Sequence, residues 1–158
     1  MIAGLLLLAG TTASPPLRPE LEPLHFLLGH CWRGEFGQTG QKDVHCFESV
    51  YGGQHVRDRH EVTGKADVYR GESLYSWNGE SKRVEYTYWN SLGGVSRGAM
   101  VPKPGLLDFG SEEHVRSDGT RVTYSTMWRR VGDDAYEAVS LSSDSPSGER
   151  VVRYVRID

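Results

Sequence analysis

From residue 31 onward the chain alternates apolar and polar positions with a period of two, in runs of strand length. Turn signals separate them: Gln38-Thr39-Gly40, Gly52-Gly53, Thr63-Gly64, Asn78-Gly79, Gly93-Gly94, Pro102 to Gly105, Asp118-Gly119, Gly132-Asp133 and Ser145 to Gly148. Strands at such regular spacing with hairpin connections predict an antiparallel meander. About ten strands in one small all-β domain are expected to close into a barrel, because closure removes exposed edges. The one helical signal precedes them, in PPLRPELEPLHFLLG. Pro23 suits a first helical turn, Leu24, Leu27 and Leu28 form an apolar face, and Gly29 suits the stop.

Turn parity then predicts which face of each strand is inside, since opposed residues of an antiparallel pair share a face. With Trp32 inward and an even loop centred on Gln38-Thr39, Trp32 faces His45, and Phe47 is inward too. Cys31 then stands opposite Cys46 on the outer face. The Gly52-Gly53 turn places Val56, Asp58, His60 and Val62 inward, with His60 opposite His45. A Thr63-to-Ala66 loop turns Tyr69, Gly71, Ser73, Tyr75 and Trp77 inward. A four-residue loop from Asn78 to Ser81 does the same for Val84, Tyr86 and Tyr88. Parity cannot be followed reliably beyond residue 90. The alternation of Val122, Tyr124, Thr126 and Trp128 sets these four on one side, taken as the inside.

The 158 residues suffice for one domain with a full core, expected over residues 14–158. A net charge of −3 disfavours a nucleic-acid partner, which selects a clear basic excess. The opening MIAGLLLLAGTTASPP carries an apolar run, Ile2 to Ala9, and small residues at Thr11 and Ala13, so residues 1–13 read as a signal peptide cleaved before Ser14. No Lys or Arg precedes the run, and a buried N-terminal strand is the other reading. The run is shorter than the ~20 residues of a membrane helix, so no stable membrane insertion is expected. Without a cysteine after Leu8-Ala9-Gly10, no lipid anchor is expected either. The expected location is periplasmic or secreted, where disulfides persist.

That location bears on the repeated dipeptides His30-Cys31 and His45-Cys46, which hold the only two cysteines. Neighbouring strand residues point to opposite faces, so the four side chains cannot converge on one tetrahedral zinc. Cys31 and Cys46, opposed across a ladder, are expected to form a disulfide.

The segment LEPLHFLLGHCWRGEF resembles the opening of nitrobindin-like proteins and related calycin β-barrels, in which a short helix leads into a Leu-Gly…Trp-x-Gly strand. The run YGGQHVRDRHEVTGKADVYRGESLYSWNGESKRVEYTYW is similar to small bacterial barrels of the same broad group. The resemblance spans Leu21 to Trp89 and implies a calycin- or lipocalin-like barrel enclosing a small ligand, with the Trp plugging one end. It also departs from that pattern. Gly29-His30-Cys31-Trp32 is one residue longer than Gly-x-Trp, the closing strand GERVVRYVRID has no haem-ligating histidine, and His114 matches no ligand position. Haem is therefore not carried over, and no cofactor is expected.

Among the inward residues, Asp58, His60 and His45 carry the most chemistry. Two histidines and a carboxylate suit a metal, and an Asp-oriented His suits a general base; a polar network or a headgroup anchor uses the same groups. Neither a metal nor a catalytic residue is assigned. Arg57 and Arg59 fall on the outer face unless a three-residue loop intervenes. No Gly-x-Ser-x-Gly, Walker-type loop or His-Glu-x-x-His is present. The expected function is non-enzymatic binding of a small amphipathic or aromatic molecule by Trp32, His45, Phe47, Asp58, His60, Tyr69, Tyr75, Trp77, Tyr86, Tyr88, Tyr124 and Trp128. An enzyme using the same pocket through His60, His45 and Asp58, and a ligand-free structural or interaction barrel, are the alternatives.

Overall fold

Ten strands follow the lead segment in the computed structural model: β1 (Cys31–Phe36), β2 (Gln41–Val50), β3 (His55–Thr63), β4 (Tyr69–Asn78), β5 (Arg83–Asn90), β6 (Val95–Lys103), β7 (Leu106–Val115), β8 (Arg121–Arg130), β9 (Ala135–Ser142) and β10 (Arg150–Arg156). The structure describes residues 15–145 and 148–158. The expected signal peptide, residues 1–13, lies outside the described residues. Each strand pairs antiparallel with its sequence neighbour, and β1 pairs with β10 to close the barrel. The closing seam is short, with registered pairs Trp32–Arg156 and Arg33–Val155.

Register bears out the parity argument through β5. Trp32 opposes His45 and Cys31 opposes Cys46; His45 opposes His60; Tyr75 opposes Tyr86. Two connections depart from expectation: the loop after β3 is two residues longer, since Val62 pairs with Tyr69, and the four-residue loop after β4 is displaced by one residue, since Asn78 pairs with Arg83. Each change moves the register by two, so every side chain keeps its face. The cysteines are joined, their Cα atoms 4.1 Å apart across the first hairpin.

The helix differs from expectation. It is a 3-10 helix over Pro19–Leu27, with Pro23 inside it rather than in its first turn. A 3-10 helix repeats every three residues. Accordingly Leu21, Leu24 and Leu27 are the fully buried face, whereas Leu28 has already left the helix to bridge Phe47. Gly29, at φ +74°, turns the chain into β1, and its N–H donates to the Phe47 carbonyl at 2.9 Å. The three leucines pack with Trp32, Phe47, Val56, Val84 and Met100, closing one end of the barrel. Trp32 is fully buried, and its indole N–H donates to the Leu27 carbonyl at 3.2 Å. Burying each such side chain stabilises by roughly 1.5–3 kcal/mol.

On β7 the register shifts between Asp108 and Gly110, and Gly110 takes φ +60°. The bulge inserts one residue, so inward positions change from Leu107 and Phe109 before it to Glu112 and His114 after it. Asp108 supports it by accepting the Gly110 N–H at 2.8 Å. Among the described residues no helix is long and apolar enough to cross a membrane.

Candidate functional site

Above the closed end the barrel encloses a cavity of about 530 Å³. Nine of the residues expected to bind ligand line it: His45, Asp58, His60, Tyr69, Tyr75, Tyr86, Tyr88, Tyr124 and Trp128. Three do not. Trp32 and Phe47 are buried in the apolar cluster that closes the end, and Trp77 packs against that cluster. All three face inward as expected but lie too far along their strands to reach the cavity. Arg57 and Arg59 face outward and share Glu48, at 2.8 and 3.1 Å.

Asp43, on β2 two residues before His45, is the centre of the polar wall. The residue is 4% exposed, and its carboxylate gathers three partners. His60 Nδ1 lies 2.9 Å from Oδ1, His45 Nε2 lies 3.1 Å from Oδ2, and the Tyr154 hydroxyl donates to Oδ2 at 2.7 Å. Asp58 stands on the far side of His45, with its two oxygens 3.0 and 2.8 Å from Nδ1. The two imidazoles stack, their centroids 4.5 Å apart, as expected of residues opposed on β2 and β3.

Both ring nitrogens of His45 face carboxylates, which only accept hydrogen bonds, so the ring is held as the imidazolium. Burial alone would lower its pKa, but the charges of Asp58 and Asp43 outweigh it and raise the group to about 10. The same balance acts on Asp43. Burial favours its neutral form, yet the neighbouring His45 and His60 hold its carboxyl far below the usual carboxylate range.

His60 continues the network on its other side. Its Nε2 lies 3.0 Å from the Tyr88 hydroxyl, which also bonds the Tyr69 hydroxyl. In the neutral ring, Nδ1–H donates to Asp43 and Nε2 accepts from Tyr88. Burial, reinforced by the neighbouring Tyr69 hydroxyl, pushes the Tyr88 pKa well above the tyrosine range.

A second polar group faces the cavity from β7. Glu112 accepts a hydrogen bond from the Tyr86 hydroxyl, and burial raises its pKa despite that bond. His114 meets the Ser96 hydroxyl at 2.9 Å; burial and then the Arg116 charge lower its pKa, which favours the neutral ring. Missing side chains leave room for these rings. A Cβ at Gly98 would meet the Tyr86 hydroxyl at 2.5 Å, and one at Gly94 would meet His114 at 2.5 Å. The wall is completed by Phe109, Tyr136 and Tyr154, with Lys65, Asp67 and Arg150 also on the lining.

Asp43, Glu112, His114, Tyr136 and Tyr154 were not among the expected site residues. Asp43 had a signal, since it shares the parity of His45 and Phe47. Glu112 and His114 had none, because the Gly110 bulge reverses the faces of β7.

No protein-family model matches the chain, and no curated protein matches it either.

Proposed function

We propose that the protein is an exported calycin-type barrel that binds one small amphipathic or aromatic molecule in its interior without transforming it. The observation that carries this reading is the cavity itself. Its size falls within the roughly 300–1,000 Å³ of small-molecule sites, its walls are aromatic, and polar groups face it from β2 and β3 and from β7. Tyr75, Tyr86, Phe109 and Trp128 supply contact area, with Phe109 and Trp128 ring centroids 4.6 Å apart. The Asp43–His60–Tyr88 chain and Glu112 would orient a polar end. The disulfide supports the exported part of the reading. The short lead helix and the buried Trp32 support kinship with nitrobindin-like barrels, without haem.

Acid–base catalysis fits less well. His45 is clamped as a cation between Asp43 and Asp58 and has no basic nitrogen to offer. His60 has both nitrogens engaged, at 2.9 and 3.0 Å.

Native mass spectrometry of the mature chain, purified gently from its own host, tests the proposal. A stoichiometric organic mass released on denaturation is the expected result. An unladen chain whose Trp128 fluorescence is unmoved by panels of aromatic acids, amines and fatty acids would overturn it.

A further inference from the structure

We propose that Asp43, His45 and His60 form a site for one divalent transition-metal ion, held by His45 Nε2, His60 Nδ1 and an Asp43 oxygen and open to the cavity. This goes beyond the binding of an organic molecule and does not depend on it.

The donor set comes first. Two imidazole nitrogens and one carboxylate oxygen on one face of a cavity suit first-row divalent ions such as zinc, iron or cobalt. The three candidate ligand atoms lie within 4.8 Å of one another. The Asp43 oxygens are 2.9 Å from His60 Nδ1 and 3.1 Å from His45 Nε2. Two donors of a tetrahedral ion, each about 2.1 Å from it, are about 3.4 Å apart, a few tenths of an ångström beyond these contacts. Small rotations of the Asp43 carboxylate would therefore admit an ion where hydrogen bonds now run.

The outer contacts are an independent observation. Metal-bound histidines donate their second ring N–H to a carboxylate or another acceptor, which fixes the ring and its tautomer. Here each of the three ligands has such a partner on its far side. His45 Nδ1 faces Asp58, at 2.8 Å. His60 Nε2 faces the Tyr88 hydroxyl, at 3.0 Å, and Tyr154 donates to Asp43, at 2.7 Å. The sequence had suggested Asp58 as the carboxylate ligand; the geometry gives that place to Asp43 and makes Asp58 the residue that positions His45.

Charge agrees with this assignment. A divalent ion would displace the Nε2 proton of His45, which leaves as one released proton, and would shift the His60 proton from Nδ1 to Nε2, where it donates to Tyr88; the ion's charge would then replace the imidazolium's in balancing Asp43 and Asp58. No thiolate competes, because both cysteines are in the disulfide. The protein supplies three ligands, leaving the cavity side for water or a ligand atom, as in metal sites that keep an open position.

The test uses chelator-treated full-length protein titrated with Co2+ alone, then with Zn2+ as competitor. Expected are one equivalent of Co2+, visible absorption typical of nitrogen and oxygen ligands, and loss of that absorption when Zn2+ is added. In wild-type protein two paramagnetically shifted exchangeable protons should appear, one from His45 Nδ1–H and one from His60 Nε2–H. This readout needs no variant to fold. Asp58→Asn should weaken Co2+ binding by about 10- to 100-fold, His60→Asn should abolish it, and His55→Asn should leave it unchanged. Absence of one-to-one binding at 100 μM Co2+ would overturn the proposal. So would Co2+ that binds without shifting the His45 and His60 protons. An unladen cavity in native mass spectrometry leaves this result unaffected, so the two readings fail separately.

Discussion

Gly71 faces His60 across the β3–β4 ladder, and a Cβ on it would lie 2.3 Å from His60 Nε2 and 2.5 Å from the Tyr88 hydroxyl. The hydrogen bond between those two rings thus runs through the space that a side chain on β4 would fill.

Gly71→Ala should therefore separate His60 from Tyr88 as well as overpack the wall. The expected loss is about 1–3 kcal/mol, the usual range for extra atoms in a packed interior. Gly79→Ala is the comparison, since a Cβ there meets nothing within 4 Å. Urea denaturation of the two variants checks this; equal stabilities would show that the wall yields freely around residue 71.

The pH dependence of stability should carry the signature of His45. Its imidazole titrates near 6.5 when unfolded and is raised to about 10 in the folded chain. Below pH 6.5 both states hold the proton, and the stabilisation from its two carboxylates is fully present. Above that only the folded state holds it, so metal-free protein should lose up to about 1.4 kcal/mol per pH unit until pH 10. Burial, with the charge of Asp43 adding to it, raises the Tyr154 pKa well above the tyrosine range, so the destabilisation linked to that group begins only above the unfolded value of 10. Denaturation of wild type and His45→Gln between pH 6.5 and 9.5 is the check. The variant should show a flatter profile, and parallel profiles would remove His45 as the cause.

Tyr136 and Tyr154 stack at 4.9 Å but differ in what their hydroxyls do. The Tyr136 hydroxyl is buried and, among the described residues, the one side-chain atom in that position with no hydrogen-bond partner. Tyr136→Phe should be neutral or stabilise by up to about 1 kcal/mol, because an unsatisfied buried group is removed. Tyr154→Phe should cost about 1.5–3 kcal/mol, because a bond to the charged Asp43 is lost. The melting temperature should fall for Tyr154→Phe and should hold or rise for Tyr136→Phe.

Removing the disulfide should cost roughly 3 kcal/mol, the chain-entropy value for its loop length. The check is urea denaturation with and without reductant, together with the Cys31→Ser/Cys46→Ser double variant. Intact mass should show no alkylatable thiol before reduction. A reduced chain of unchanged stability would mean that the ladder alone fixes the hairpin.

The strands and their faces were legible because side-chain alternation survives any even change in loop length. The Val62–Tyr69 connection is two residues longer than expected and the Asn78–Arg83 loop has the expected length displaced by one residue; each moves the register by two and leaves the assignment of Tyr75, Tyr86 and Tyr88 intact. The Gly110 bulge is an odd insertion, and it hid Glu112 and His114. The lead helix was legible as a helix but not in its period. Leu21, Leu24 and Leu27 are evenly spaced by three, a pattern that fits a 3-10 helix better than the 24, 27, 28 face. Depth along the barrel was not legible at all. Alternation says which side chains face inward, but whether one meets the apolar floor, as Trp32 does, or the cavity, as Tyr88 does, depends on strand tilt and stagger.

The covalent link and the closure of the ring belong to opposite ends of the folding process. Cys31 and Cys46 sit on one local hairpin, whereas β1 finds its other neighbour only in β10, the last strand, over two registered pairs. A contact that spans nearly the whole chain forms slowly, since its loop entropy is opposed by little until the intervening strands are in place. Oxidation of the first hairpin can precede that event and hold β1 in register while eight other strands assemble. The disulfide would then act during folding as a template for the edge on which β10 must land, and its absence should slow closure more than it speeds opening.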